Sequence, residues 1–87
     1  MNPPTPIEEL PLATLMRGRI RSLLDRLGSH RIPDLFRRVI TEVERALIEE
    51  ALARAAGSRS QASGILGIHR NTLRLKMRTL GITSRPS

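Results

Sequence analysis

The stretch SRSQASGILGIHRNTLRLKMRTLG, residues 58–81, reads as two short helices joined by a tight glycine-containing turn. Ser58-Arg59-Ser60-Gln61 has the S-x-x-Q spacing of a capping box, which satisfies free backbone N–H groups where a helix starts. From there Ala62, Ile65 and Leu66 are expected to face inward and Gly67 to end the helix. After Ile68 a second helix carries Leu73, Met77 and Leu80 at core spacing before Gly81 stops it. With those core positions removed, the exposed set is mostly cationic or hydrogen-bonding and contains no acid. Helix, tight turn, helix is the layout in which one helix crosses a phosphate backbone and the next lies in the major groove of a duplex.

Within that layout each side chain has a chemical part and a bland alternative. Arg70 and Arg74 stand four apart on one face, where a guanidinium fork can pair with guanine O6 and N7 or with phosphate. Asn71 and Thr72 suit base-edge or phosphate hydrogen bonds, and Lys76 and Arg78 can clamp phosphates further along. Arg74 and Arg78 could equally be plain surface cations, although no acid near them on their own helix would pair with them. Ser58 and Ser60 sit at the start of the first helix, where free N–H groups favour an anion, and Ser58 is a cap before it is a contact. His69 either approaches a base or starts the helix, and a single histidine does not decide between the two. Leu75 is the apolar exception, able to touch a thymine methyl or to pack on its neighbours. His30 reads as a solvated loop residue.

Working outward, Gly57 closes a long helix that runs from Pro33-Asp34 to about Ala56. Proline in the first helical turn and an acid near the positive dipole end suit such a start. Leu35, Phe36, Val39, Ile40, Val43, Ala46, Leu47, Ile48, Ala51, Leu52 and Ala55 form a stripe that broadens along it. At about 1.5 Å per residue this helix exceeds roughly 30 Å, long for so short a chain. Before it, Leu12, Leu15, Met16, Ile20, Leu23, Leu24 and Leu27 mark an amphipathic helix ending at Gly28, with Arg17, Arg19, Arg21 and Arg26 expected on the opposite, solvated face. The long helix offers more apolar surface than this first helix can cover. A second copy of the chain and the C-terminal helices are therefore expected to cover the rest, the second copy through Leu23, Leu24, Leu27, Phe36, Val39, Ile40, Val43 and Leu47. A monomeric bundle with a modest exposed patch is the alternative.

Composition narrows the partner. The chain has 87 residues, no cysteine and a net charge of +7. A domain this small gains much from a partner subunit. Leu, Ile, Val and Phe account for 24 residues, enough for a folded core. Without cysteine and with two histidines, disulfide scaffolds, thiol catalysis and ordinary zinc cages are excluded, so neither metal nor cofactor is expected. Residues 1–50 hold eight Arg and eight acids, whereas residues 51–87 hold six Arg and one Lys with no acid, so the whole imbalance lies in the rear. A neutral front joined to a basic rear suits a structural part coupled to a part that meets a polyanion. One Phe, no Tyr and no Trp argue against stacking platforms for single strands and against a membrane-surface helix. Duplex DNA remains. No phosphate loop, H-E-x-x-H or nucleophile elbow is present, and Gly64-x-x-Gly67 lacks the strands of a KH fold, so no enzyme is expected. The segment MNPPTPIEEL is proline-rich and acidic, unlike a signal peptide, and the chain reads as cytosolic.

The residues of segment 35–82 carry a resemblance. Leu35-Phe36-x-x-Val39, Thr41-Glu42-Val43-Glu44-Arg45, Leu47-Ile48, Ala51, Gly57, Gln61-Ala62, Leu66-Gly67-Ile68, Arg70-Asn71-Thr72-Leu73-Arg74-x-Lys76-Met77 and Leu80-Gly81-Ile82 together resemble the Fis family of bacterial nucleoid-associated, DNA-bending proteins. The likeness extends over about residues 12–82. It implies an all-α, four-helix, intertwined homodimer whose two C-terminal helix-turn-helix units meet successive major grooves of bent duplex DNA, with preference arising largely from groove shape. By matching position it implies DNA contacts at Arg70, Thr72, Arg74, Lys76 and Arg78, with Ser58 and Ser60 on the backbone. Two departures stand out. The family commonly has a basic residue where Leu75 stands, and the long N-terminal arms are replaced by a proline-rich segment, so recombination stimulation is not expected.

The resulting expectation is a transcriptional regulator and nucleoid-associated protein of the cytoplasm. Residues 1–11 and 83–87 would be loose tails, 12–56 dimerisation helices and 57–82 the DNA-binding region. RNA polymerase is a further partner this reading allows. The same helix-turn-helix ends the NtrC-type activators of sigma-54 promoters, so an isolated C-terminal domain of such an activator is the alternative, and a start at Met1 with helix one in place favours a complete small protein. From another class, a helical interaction module with a merely solubilising basic tail would also fit the pattern.

Overall fold

The computed structural model describes residues 11–83. The expected tails therefore lie outside the described residues except for Pro11 and Thr83. Four helices follow one another: α1 (Leu12–Leu27), α2 (Leu35–Arg54), α3 (Arg59–Leu66) and α4 (Arg70–Leu80), with no strand among the described residues. The fold is all-α, with a helix-turn-helix formed by α3 and α4. The chain divides into two compact units after Pro33, so α2 shares a core with α3 and α4. The expected division by role, 12–56 against 57–82, runs through the middle of that core.

In the first unit, α1 ends where the Gly28 N–H donates to the Leu24 carbonyl at 3.1 Å and the His30 N–H to Leu27 at 2.9 Å. The expected apolar stripe is present, but no residue of α1 is buried: Met16, Leu23 and Leu27 are half-buried, and Leu12, Leu15, Ile20 and Leu24 are exposed. The four arginines are exposed too. At 3.6 residues per turn Arg19 and Arg26 fall beside Leu12 and Leu15 and Arg17 at the other edge of the stripe, while Arg21 alone of the four lies on the far side, with Thr14, Gly18 and Asp25.

The second unit differs from expectation at both ends of α2. Pro33 stays outside the helix, and Asp34 precedes it in the left-handed region (φ 62°) without a side-chain cap. Its carboxylate lies 3.9 Å from Arg37 instead, with both groups exposed. The helix stops at Arg54, two residues before the expected end. There the Ala56 N–H donates to Ala53 and the Gly57 N–H to Leu52 at 2.9 Å, a paired closure that requires Ala56 to turn left-handed (φ 52°). The same closure ends α3 and α4. Gly67 and Gly81 take φ near 70° at no steric cost, and the next N–H groups, from Ile68 and Ile82, reach back to Ser63 and Met77. This explains why Leu-Gly-Ile occurs twice: each isoleucine that follows the left-handed glycine is folded back onto the core.

That core lies over the C-terminal half of α2. Ile48, Ala51, Leu52 and Ala55 meet Ala62 of α3 and Leu73 and Met77 of α4, with Leu66, Ile68, Leu80 and Ile82 packed around them. Leu73 is fully buried, as its place in the second helix predicts, and Ala62 is equally enclosed because α3 approaches α2 closely. Ile65 is a correction: it is 54% exposed, since the eight-residue α3 turns Ala62, Ser63 and Leu66 inward and leaves Ile65 off that face. Buried Ser63 is satisfied by donating to the Ser60 carbonyl at 2.7 Å.

The N-terminal half of α2 is apolar but uncovered. Phe36 (81% exposed), Ile40, Val43 and Leu47 follow one another at spacings of four, three and four, with Val39 half-buried beside them. This seam is angularly distinct from the stripe that packs on α3 and α4, which accounts for the broadening read from the sequence.

Candidate nucleic-acid interface

The interface is built where the N-terminal ends of α3 and α4 converge. Ser58 caps α3, its hydroxyl oxygen accepting from the Gln61 N–H at 3.2 Å. Only this half of the capping box forms, because the Ser58 N–H already donates to the Ala55 carbonyl at 3.0 Å. Ser58→Ala is expected to cost about 1 kcal/mol of folding stability. In a domain of this size that lowers the thermal midpoint by about 4–8 °C, to be read by circular dichroism.

His69 caps α4 in the same manner: its Nδ1 accepts from the Asn71 N–H at 3.1 Å. The helix-start reading of this histidine is present in the structure, and the residue is exposed. Ser58, Arg59, Ser60, His69, Arg70, Asn71 and Arg74 together line one concavity of about 420 Å³. Six of these seven were expected from the sequence. Arg59 was not, although its place between the two serines in an acid-free segment was a sufficient signal.

Thr72 and Arg78 are exposed on α4 outside this concavity. Arg70, Arg74 and Arg78 succeed one another every four residues along one face of the helix. Among the described residues, none of Arg59, Arg70, Arg74 and Arg78 is in an ion pair. Neither α3 nor α4 carries an acid, so the like-charged guanidinium groups lack internal compensation, an arrangement suited to an external polyanion.

Two further residues of α4 stand apart. Lys76 is half-buried, and its Nζ donates to Glu44 Oε2 on α2 at 2.7 Å, so its charge is already matched within the fold. Leu75 is 55% exposed and shares a groove with Phe36 and Ile40 of α2. Among the described residues no cluster of His, Asp and Glu could hold a metal ion, and no helix is long and apolar enough to cross a membrane.

Residues 39–83, more than half of the chain and the whole of α3, α4 and their floor on α2, match the family described as bacterial regulatory protein, Fis family. The chain belongs to the Fis family. Relatives similar to it include the DNA-binding protein Fis of Aliivibrio fischeri strain MJ11, 29% identical over 76 residues, covering 87% of this chain and 78% of the relative. The DNA-binding protein Fis of Histophilus somni strain 2336 is 28% identical over 82 residues, covering 94% of this chain and 84% of its own length. That of Haemophilus influenzae strain PittEE is 28% identical over 82 residues, covering 94% and 83%. At 82 aligned residues the similarity takes in α1 as well as the family's helix-turn-helix segment.

Proposed function

We propose that the chain is a Fis-type regulator that binds and bends duplex DNA as a homodimer, acting on transcription and nucleoid organisation in the cytoplasm. The observation that carries this reading is the acid-free face of α4, whose arginines lack internal partners and converge with the N-terminal end of α3. In this reading α3 lies across the backbone, with Ser58, Arg59 and Ser60 toward phosphates, and α4 enters the major groove with Arg70, Asn71 and Arg74 toward base edges. Thr72 and Arg78 reach the flanking backbone. No step needs a metal or cofactor, and no bond is made or broken.

The dimer is supported by the uncovered seam Phe36, Ile40, Val43 and Leu47 on α2 and by the stripe of α1, in which Leu24 is exposed and Leu23 and Leu27 are half-buried. A unit that leaves this much apolar surface open gains several kcal/mol, at about 25 cal/mol per Å², when a second copy covers it. Similarity to relatives named Fis over 78–84% of their own length, α1 included, favours this reading over a detached activator domain.

The reading is tested with a duplex of about 30 base pairs carrying a fluorophore at each end. Binding is expected to saturate at two chains per duplex and to shorten the end-to-end distance, while single strands compete poorly. Saturation at one chain with an unchanged distance would contradict it.

A further inference from the structure

Two polar links join the recognition helix to α2, and both come from adjacent residues. Glu44 accepts from Lys76 at 2.7 Å, and the Arg45 Nη1 donates to the Leu80 carbonyl at 2.7 Å. They lie one turn ahead of Ile48, where the apolar core begins, so they tie α4 to α2 at the edge of that core. Helix geometry forces a choice on Lys76. Two residues apart on an α-helix means about 200° around the axis, so Arg74 and Lys76 cannot face one groove together. With Arg74 turned toward the concavity it shares with Ser58 and Ser60, Lys76 is turned toward α2, where its carboxylate partner stands.

We infer that Lys76 is a positioning residue and not a phosphate contact: paired with Glu44, it sets the angle at which α2 presents the recognition helix to DNA. The inference rests on the duplex-binding reading above and deepens it. Because α2 also carries the exposed apolar seam, the Glu44–Lys76 pair connects the surface that joins two copies to the helix that meets the groove. A change at the pair then alters the separation of the two recognition helices, and with it the bend, without touching a base.

The test is Glu44→Gln. A phosphate-binding lysine would be released by that change, and the loss of a negative charge would further favour DNA. A positioning lysine loses its anchor. The inference therefore expects Glu44→Gln to weaken duplex binding by about three- to tenfold and to change the end-to-end distance of the bound duplex, with helical content retained. Lys76→Gln is expected to do the same. The double exchange Glu44→Lys with Lys76→Glu, which leaves net charge unchanged, is expected to restore affinity to within about threefold of the original chain. Tighter binding by Glu44→Gln with a steeper salt dependence would overturn the inference, as would a double exchange that binds no better than Lys76→Gln. If the unaltered chain does not bind duplex at all, the functional reading itself fails and takes this inference with it. If the unaltered chain binds and the variants behave as phosphate-contact mutants, the functional reading stands and only the positioning role is lost.

Discussion

Val43→Asp is expected to separate the proposed homodimer while leaving each chain folded. Val43 lies in the middle of the α2 seam, between Ile40 and Leu47, and is exposed in the single chain. An aspartate there is solvated in the monomer and lies outside the core, which begins at Ile48. In the proposed dimer the same carboxylate would be enclosed among apolar seam residues, and its counterpart on the second copy would add like-charge repulsion. Removing water from an unpaired charge costs about 3–5 kcal/mol, so dimer affinity should fall by at least a factor of about a hundred. Sedimentation should report the single-chain mass of 9.7 kDa with undiminished helical content. Duplex affinity should collapse with it, since one chain then engages one half-site alone. An unchanged dimer would place the interface elsewhere.

The second large effect is at Arg74. Arg74→Ala should weaken duplex binding by about 1–3 kcal/mol for each protomer, so a symmetric dimer loses up to twice that. The side chain is exposed, has no ion-pair partner among the described residues and lines the concavity with Ser58, Ser60 and Arg70. Its neighbours at four-residue spacing, Arg70 and Arg78, are also cations, so its removal relieves repulsion and should not lower the melting temperature. Arg74→Lys should recover only part of the loss, because an ammonium lacks the planar fork that matches guanine or phosphate. Anisotropy titration on one duplex, with melting curves of each variant, separates lost contact from lost fold. Equal affinities for all three proteins would remove Arg74 from the interface.

What the sequence made legible was local. Ser58 caps α3, Gly67 and Gly81 stop α3 and α4, and Leu73 and Met77 are buried, because each depends on residues within one or two turns. The misplacements occurred where two local signals competed. Pro33-Asp34 resembles a helix start, yet Asp34 is left-handed and uncapped; Ala56 resembles a helix residue, yet the hydrogen bond from Gly57 to Leu52 makes it the turning point. Ile65 has an inward-facing residue type at nearly the right period, and only the packing of α3 on α2 shows that Ala62 and Ser63 hold that face. The Glu44–Lys76 pair could not be read at all, as 32 residues separate its members and nothing in either neighbourhood marks the other. The part of the interface that was legible is the acid-free composition of α4; the part that was not is which of its cations the fold had already claimed.

The proposed duplex binding turns on the arginines of α3 and α4 exchanging counterions for DNA phosphates. Its most direct test is the affinity of the unaltered chain for one duplex, measured from about 50 to 200 mM salt. Arg59, Arg70, Arg74 and Arg78 in two protomers predict a straight line of log K against log salt with a slope between about −4 and −7. A slope near zero, or no binding even at the lowest salt, would contradict it.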